Sequence, residues 1–154
     1  METKFKSQIC TTREQSERLL QLGLKKETAD MSYNYQRTRG DYELSVNAYA
    51  DILRLKDRMN NRKVLGMGWD ELWGNDLPAW SLHRLIEMMP RTVKVDGRVY
   101  GCMMELGGCV QYINLLVNEV IWATHYSVSN SFDGLIDCIE WLIKEGYFNK
   151  EYLV

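Results

Sequence analysis

The segment from Thr92 to Tyr100 constrains the fold more than any other part of the sequence. Two short runs rich in β-branched and aromatic residues, Thr92–Val95 and Arg98–Tyr100, flank the pair Asp96-Gly97. Aspartate and glycine tolerate the left-handed backbone conformations of a two-residue turn, so this pair is the strongest short-range hairpin signal. The segment therefore predicts two antiparallel strands joined by a tight turn.

The residues after this hairpin predict two more strands, which complete an antiparallel β-meander of about four strands. Gly107-Gly108 predicts a second tight turn and Asn118-Glu119 a third. With these turns, one face of the sheet collects a continuous apolar set and is predicted to face the core. That set is Tyr100, Cys102, Met104, Leu106, Ile113, Leu115, Val117 and Trp122. The same register places His125 on the other face.

Helical periodicity predicts N-terminal, central and C-terminal helices that pack against this meander. The predicted ranges are Thr12–Leu22, Leu44–Met59, Pro78–Met89 and Phe132–Glu145. Thr11 and Glu14 have the spacing of a capping box at the start of the first helix. After that helix, Met31, Tyr33 and Tyr35 alternate with polar residues and predict a further strand. The predicted fold class is α+β.

Length and composition predict one globular domain over residues 1–154. The chain has 154 residues, of which 45% are hydrophobic, and its 19 basic and 21 acidic residues give a net charge of −2. A nucleic-acid-binding domain usually carries a basic excess. No apolar run approaches the ~20 residues of a membrane span, and the start of the chain lacks the apolar core of a secretory signal. The four scattered cysteines are typical of free thiols, so we expect a cytoplasmic protein without a membrane partner.

An aromatic segment is the leading candidate for a binding surface. Trp69, Trp73 and Trp80 lie within or just after Val64–Leu77, an irregular stretch with little periodicity. Exposed aromatic side chains in such a segment are typical of protein interfaces. The alternative is that the tryptophans pack the loop onto the domain. The predicted partner is another protein, and self-association is left open.

His83, Glu87 and His125 are the candidates for acid–base chemistry. His83 and Glu87 lie four residues apart on one predicted helix and therefore share a face. A histidine–carboxylate pair can serve as a general base, but no nucleophile is tied to this pair, so a solvated helix pair is the alternative. His125 could act with Glu119 or Glu105 on the outer face of the meander. The spacing of histidines and cysteines predicts no metal site, and no motif predicts a cofactor.

Two further sites are left open by the sequence. Cys10 precedes a predicted helix N-terminus, which would favour the thiolate form of its side chain. The stretch Arg54–Arg62 is the densest basic segment and could contact a nucleic acid, although acids and amides interrupt it. Neither feature is sufficient to assign a function.

Several segments of the chain together carry a family resemblance. They are Thr12–Ser16 with Leu19–Leu24, Thr28–Met31, Pro78–Leu82 with its continuation to Pro90, and Trp141–Tyr147. In their order and spacing they resemble small uncharacterised proteins of gut Bacteroides, their phages and mobile elements. Gly40–Gly74 departs from that pattern by being longer and more helical. The resemblance implies a bacterial or phage source and an α+β fold, but no known activity and no catalytic residues.

The sequence thus favours a non-enzymatic protein-interaction or accessory module of a phage or mobile genetic element. The lack of a catalytic set and the tryptophan-rich segment are the basis of this hypothesis. A small enzyme with a cryptic His/carboxylate site is the first alternative, and a nucleic-acid-binding accessory protein is the second. No catalytic residue is assigned.

Overall fold

The chain folds into α-helices and two antiparallel sheets, which confirms the predicted α+β class. The computed structural model describes residues 8–59, 67–68, 71–72, 74–105, 109–124 and 130–154, apart from the side chains of residues 56, 57 and 59. Its backbone contacts group into two compact units. Unit 1 holds Lys26–Ser81 and the chain up to Ser16, and unit 2 holds Glu17–Lys25 and Leu82–Val154. The single domain expected from the length stays a prediction.

The secondary structure alternates between helices and strands along the chain. The helices are α1 (Arg13–Gln21), α2 (Tyr49–Met59), α3 (Leu82–Met88) and α4 (Ser131–Lys144). The strands are β1 (Met31–Gln36), β2 (Asp41–Ser45), β3 (Leu77–Ala79), β4 (Thr92–Val95), β5 (Arg98–Met104), β6 (Val110–Asn114) and β7 (Glu119–Ala123). None of the helices in the described ranges combines the length and the apolarity needed to cross a bilayer.

Unit 1 is built on a three-stranded antiparallel sheet of order β2-β1-β3. Only β1 was predicted from its alternating pattern. The helix predicted from Leu44 is wrong at its start, because Asp41–Ser45 pairs with β1 and the helix begins at Tyr49. The helix predicted from Pro78 is also wrong there, since Pro78 pairs with Ser32. Proline is tolerated in β3 because an edge strand does not need every backbone N–H for pairing.

The capping box of α1 lies one residue later than predicted. The Thr12 N–H donates to the Gln15 side-chain oxygen at 2.9 Å, and the Gln15 N–H donates to the Thr12 hydroxyl at 3.2 Å. Thr11 is fully buried and has a different role. Its hydroxyl accepts the Trp80 N–H at 3.0 Å, and its own N–H donates to the Trp80 carbonyl at 2.9 Å. The prediction failed because tertiary hydrogen bonds occupy the first threonine.

Unit 2 contains the predicted meander, with strand order β4-β5-β6-β7. Its first turn is confirmed: Val95 pairs with Arg98, and Asp96 and Gly97 have φ of 48° and 78°. Both residues are therefore left-handed, as a two-residue turn of this kind requires. The predicted turn at Gly107-Gly108 lies outside the described residues.

The predicted register of the last two strands is wrong. Cys102 pairs with Tyr112 instead of Ile113, and this shift by one residue exchanges the two faces of β6. The third turn spans residues 115–118, so that Asn114 pairs with Glu119, and the register shifts between Tyr112 and Ile113. The inner face of the sheet buries Val93, Tyr100, Val110 and Tyr112. The outer face includes Ile113.

Helix α4 supplies much of the core of unit 2, and it contacts β6 and α3. Its N-cap is Asn130, whose side-chain oxygen accepts the Asp133 N–H at 3.0 Å. Gly146, with φ of 76°, follows the helix end, where glycine readily adopts the left-handed conformation. The apolar stripe of the helix is buried, namely Phe132, Leu135, Ile136, Cys138, Ile139 and Leu142.

Candidate functional site

Trp80, one of the three tryptophans predicted to bind a partner, is a core residue of unit 1. Its side chain is 0% exposed, and its indole N–H donates to the Thr28 hydroxyl at 3.0 Å. A side chain with a satisfied polar group and no exposed surface cannot anchor a partner without unfolding, so this part of the prediction is wrong. Trp69 and Trp73 lie outside the described residues, and their role stays a prediction.

His83 and Glu87 form the predicted side-chain pair on α3, with 3.0 Å between His83 Nε2 and Glu87 Oε1. The His83 side chain is 81% exposed, and Glu87 also pairs with Arg84 at 3.3 Å. Neither His83 nor Glu87 lines any of the cavities described below. The pair therefore has the solvated geometry that was the alternative to a general base. His125 lies outside the described residues.

Buried thiols leave little scope for nucleophilic chemistry. Cys10 is buried, and burial raises the pKa of its thiol although the Tyr33 hydroxyl lies 3.5 Å away. Burial likewise raises the pKa of Cys138 within α4. Both thiols are therefore protonated near neutral pH and are poor nucleophiles. Among the residues that the structure describes, no three His, Cys, Asp or Glu side chains group closely enough to hold a metal ion.

In the described part of the basic stretch, Arg54 is paired with an acidic residue. Arg54 pairs with Asp51 at 3.0 Å on an exposed face of α2. An intrahelical pair of this kind neutralises much of the local charge that phosphate contacts would need. Residues 60–62 lie outside the described ranges, so nucleic-acid binding stays a prediction.

The turn between β6 and β7 displays three consecutive aliphatic side chains to solvent. Leu115, Leu116 and Val117 are 70%, 95% and 57% exposed. Leu115 and Val117 were predicted to face the core, and both assignments are wrong because the turn begins before these residues. Single exposed aliphatic residues are ordinary, but a run of three on a protein surface is not expected unless it has a function.

Asparagines on both sides of this run fix the backbone of the turn. The Asn114 side-chain oxygen accepts the Leu116 N–H at 3.0 Å, which closes an Asx turn. Asn118 has φ of 50°, a left-handed conformation that asparagine tolerates better than most residues. The aliphatic side chains are thus presented on an ordered backbone. This lowers the entropy lost when a partner binds.

Two valines on the neighbouring strands extend the aliphatic turn. Val120 pairs with Ile113 and is on the outer face of the sheet. Val99 lies two residues before Gly101, which also pairs with Ile113, so Val99 is on that face as well. Both valines are half exposed. We call Val99, Leu115, Leu116, Val117 and Val120 the hairpin surface.

Polar residues next in sequence to the valines of the hairpin surface form a cluster of their own. Glu119 accepts a hydrogen bond from the Arg98 guanidinium at 2.6 Å and another from the Tyr100 hydroxyl at 3.0 Å. These two donors lower the pKa of Glu119 below its ordinary value. The cluster stays charged at neutral pH. Because these residues alternate with Val99 and Val120 along β5 and β7, the cluster lies on the opposite face of the sheet from the two valines.

A second candidate in unit 2 is a cavity of about 280 Å³ beside two stacked tryptophans. The Trp122 and Trp141 ring centres lie 5.4 Å apart with the planes at 17°. The charged groups lining the cavity already bind one another: Arg18 pairs with Asp137 and Glu140, and Lys144 pairs with Glu140. A ligand would have to displace these pairs. The cavity is therefore a weaker candidate for a functional site than the hairpin surface.

The hairpin surface was not predicted from the sequence, although the sequence contains a signal for it. Leu115–Val117 is flanked by Asn114 and Asn118, and asparagine is one of the most frequent turn residues. Two asparagines four residues apart could have predicted a four-residue turn. The choice of Asn118-Glu119 as the turn instead placed the aliphatic run inside strands.

The chain matches no protein-family model, no curated protein and no solved structure.

Proposed function

We propose that this protein is a non-catalytic interaction module that binds a partner protein through the hairpin surface. The observation that carries the proposal is the exposure of Leu115, Leu116 and Val117 on a turn whose backbone is fixed by Asn114. Contiguous exposed apolar groups mark interaction sites, whereas single exposed apolar residues are ordinary.

The energetics favour covering this surface. Burying one exposed leucine or valine side chain contributes roughly 1.5–3 kcal/mol. Three such residues in one turn can therefore supply most of the affinity of a small interface, whose binding energy is usually concentrated in a few residues.

Origin in a phage or mobile element, and an accessory role there, remain part of the proposal. They are supported by the family resemblance of the segments given above. An acid–base enzyme is less well supported, because His83 and Glu87 form an exposed surface pair. Cytoplasmic location is likewise proposed from the cysteine pattern.

The test is site-specific photo-crosslinking in cells of the native host. A photo-reactive amino acid at position 116 should trap one protein, and the variant Leu115→Ser/Leu116→Ser/Val117→Ser should lose that protein in a pull-down. Val46 provides the matched control, since it is an exposed aliphatic residue of unit 1 outside the hairpin surface, 80% exposed. A probe at position 46 should trap nothing specific, and Val46→Ser should keep the partner.

Two results would contradict the proposal. The first is equal recovery of the partner with the triple serine variant and the wild type. The second is that the wild-type protein binds to vesicles made of lipid alone and the triple variant does not. The second result would make the turn a membrane-inserting element instead of a protein-binding one.

A further inference from the structure

A separate cavity of unit 2 lies between the end of α3 and strand β5. Its volume is about 410 Å³, within the range of roughly 300–1,000 Å³ that small-molecule sites occupy. The lining residues are Ile86, Met89, Pro90, Arg91, Cys102 and Met104. The cavity shares no residue with the hairpin surface.

The backbone on one side of this cavity is held by two hydrogen bonds. The Cys102 N–H donates to the Arg91 carbonyl at 2.9 Å. The hydroxyl of Tyr112, a fully buried residue, donates to the Pro90 carbonyl at 2.5 Å. The Pro90-Arg91 segment is thus fixed against two strands of the sheet. A cavity with a fixed wall binds a ligand with less loss of entropy than one that must be ordered first.

The lining of this cavity is apolar except for one charged residue. Five of the six lining side chains are aliphatic, thioether, proline or thiol groups, and Arg91 supplies the charge. Among the described residues no carboxylate pairs with Arg91, in contrast to Arg18, Arg84 and Arg98, each of which has an acidic partner. An arginine without a partner at the edge of an apolar cavity is complementary to an anion that carries a hydrocarbon group.

We propose that this cavity binds a small amphipathic carboxylate, with the hydrocarbon chain against Ile86, Met89 and Met104 and the carboxylate on Arg91. The volume agrees with such a ligand. At roughly 30 Å³ for each water-sized group, the cavity accommodates about a dozen non-hydrogen atoms with some space left. Decanoate is therefore a suitable probe.

The first experiment is titration calorimetry of the full chain with decanoate. We expect saturable binding of one molecule. Binding should weaken about fourfold for each methylene removed, because each buried methylene contributes a nearly constant free energy. Octanoate, which is two methylenes shorter, tests this. Arg91→Gln should weaken decanoate binding about fivefold, and Arg91→Lys should weaken it less. Lys94→Gln, which removes an exposed cation of β4 outside the cavity, should change it less than twofold.

The second experiment uses the thiol in the cavity wall as a reporter. Cys102 lines the cavity, while Cys109 is a partly exposed cysteine outside it. Saturating decanoate should slow alkylation of Cys102 by N-ethylmaleimide severalfold and leave the rate at Cys109 unchanged. Peptide mass spectrometry separates the two sites, so Cys109 is an internal control for unfolding by the amphiphile.

Three outcomes would overturn the proposal. Binding of decyltrimethylammonium, a cation of similar length, as tight as that of decanoate and with equal protection of Cys102 would assign no role to Arg91. Equal loss of affinity in Arg91→Gln and Lys94→Gln would indicate general electrostatic attraction. Parallel protection of Cys102 and Cys109 would show that decanoate coats the protein without a specific site.

Discussion

The β4–β5 hairpin and the β6–β7 hairpin belong to one sheet, yet their turns are encoded in different ways. The first turn is two residues long, and both Asp96 and Gly97 are left-handed. The second is four residues long, with a single left-handed residue at Asn118 and three exposed aliphatic side chains. The first hairpin is specified by local backbone chemistry, whereas the second depends on which side chains the rest of unit 2 buries.

This difference explains why one hairpin was predicted and the other was not. An Asp-Gly pair permits few alternatives. In the β6–β7 region, ten of the fourteen residues from Val110 to Ala123 are apolar, so several registers give an apolar face. The register that occurs is the one that places Tyr112 under α4, where its ring meets Trp141 at 5.4 Å.

The largest predicted effect tests the register of β6. Tyr112→Ala should lower the free energy of unfolding by about 3–5 kcal/mol, because it empties a fully buried site and removes the hydrogen bond to Pro90. Ile113→Ala should cost only about 1 kcal/mol, since Ile113 is on the outer face. Urea unfolding of both variants measures the difference, and the reverse order of the two losses would restore the register predicted from the sequence.

The next effect compares the two turns directly. Gly97→Ala should cost about 1–2 kcal/mol, because alanine is strained at φ of 78°. Asn118→Ala should cost less, since asparagine already carries a Cβ atom in that conformation. Gly101→Ala is the control: Gly101 is in β5, its φ is not positive, and a Cβ atom there would have open space. If Gly101→Ala were as costly as Gly97→Ala, turn conformation would not be the cause.

A smaller, pH-dependent effect tests the link between the two hairpins. Hydrogen bonds from the Tyr100 hydroxyl and the Arg98 guanidinium lower the pKa of Glu119 in the folded state below its ordinary value of 4.5. The stability that Glu119 contributes is therefore present above pH 4.5 and is lost as the pH falls through the lower, folded-state pKa. Glu119→Gln should have a lower free energy of unfolding than the wild type at neutral pH, and the difference should disappear in acid. If urea unfolding shows a difference that does not change with pH, Glu119 does not link the two hairpins in this way.

The smallest expected effect is on the stability of the triple serine variant of the hairpin surface. Leu115→Ser/Leu116→Ser/Val117→Ser should change the free energy of unfolding by less than about 0.5 kcal/mol per site, since all three side chains are exposed. Thermal unfolding, followed by circular dichroism, checks this. A loss comparable with that of Tyr112→Ala would place the three residues in a core and leave the interaction proposal without its surface.

Local signals predicted the elements of unit 2 better than those of unit 1. The apolar stripe of α4 is buried and Asp96-Gly97 forms its turn, because both features depend on residues close together in the chain. Strands β2 and β3 were missed. Asp41–Ser45 has little apolar alternation, and Leu77–Ala79 is short and contains a proline, so both become strands only by pairing with β1.

The candidate sites depended still more on tertiary structure. Trp80 has the residue type of an interface and is buried, whereas Leu115 has the residue type of a core and is exposed. Residue type alone gave the wrong answer in both cases, because burial depends on the partners that pairing and packing provide. Arg91 carried no sequence signal at all. It became a candidate only because the fold places apolar residues at the end of α3 and on β5 around a cavity beside it.

The sequence by itself determined the α+β class, the first turn of the meander and the apolar face of α4, since each rests on backbone preference or on a periodic pattern within a short segment. Only the tertiary structure decided the register of β6 and β7 and hence the exposure of Leu115–Val117. The physical reason is that a strand has two faces. A shift of one residue exchanges them, and the packing of Tyr112 beneath α4 determines which one is buried.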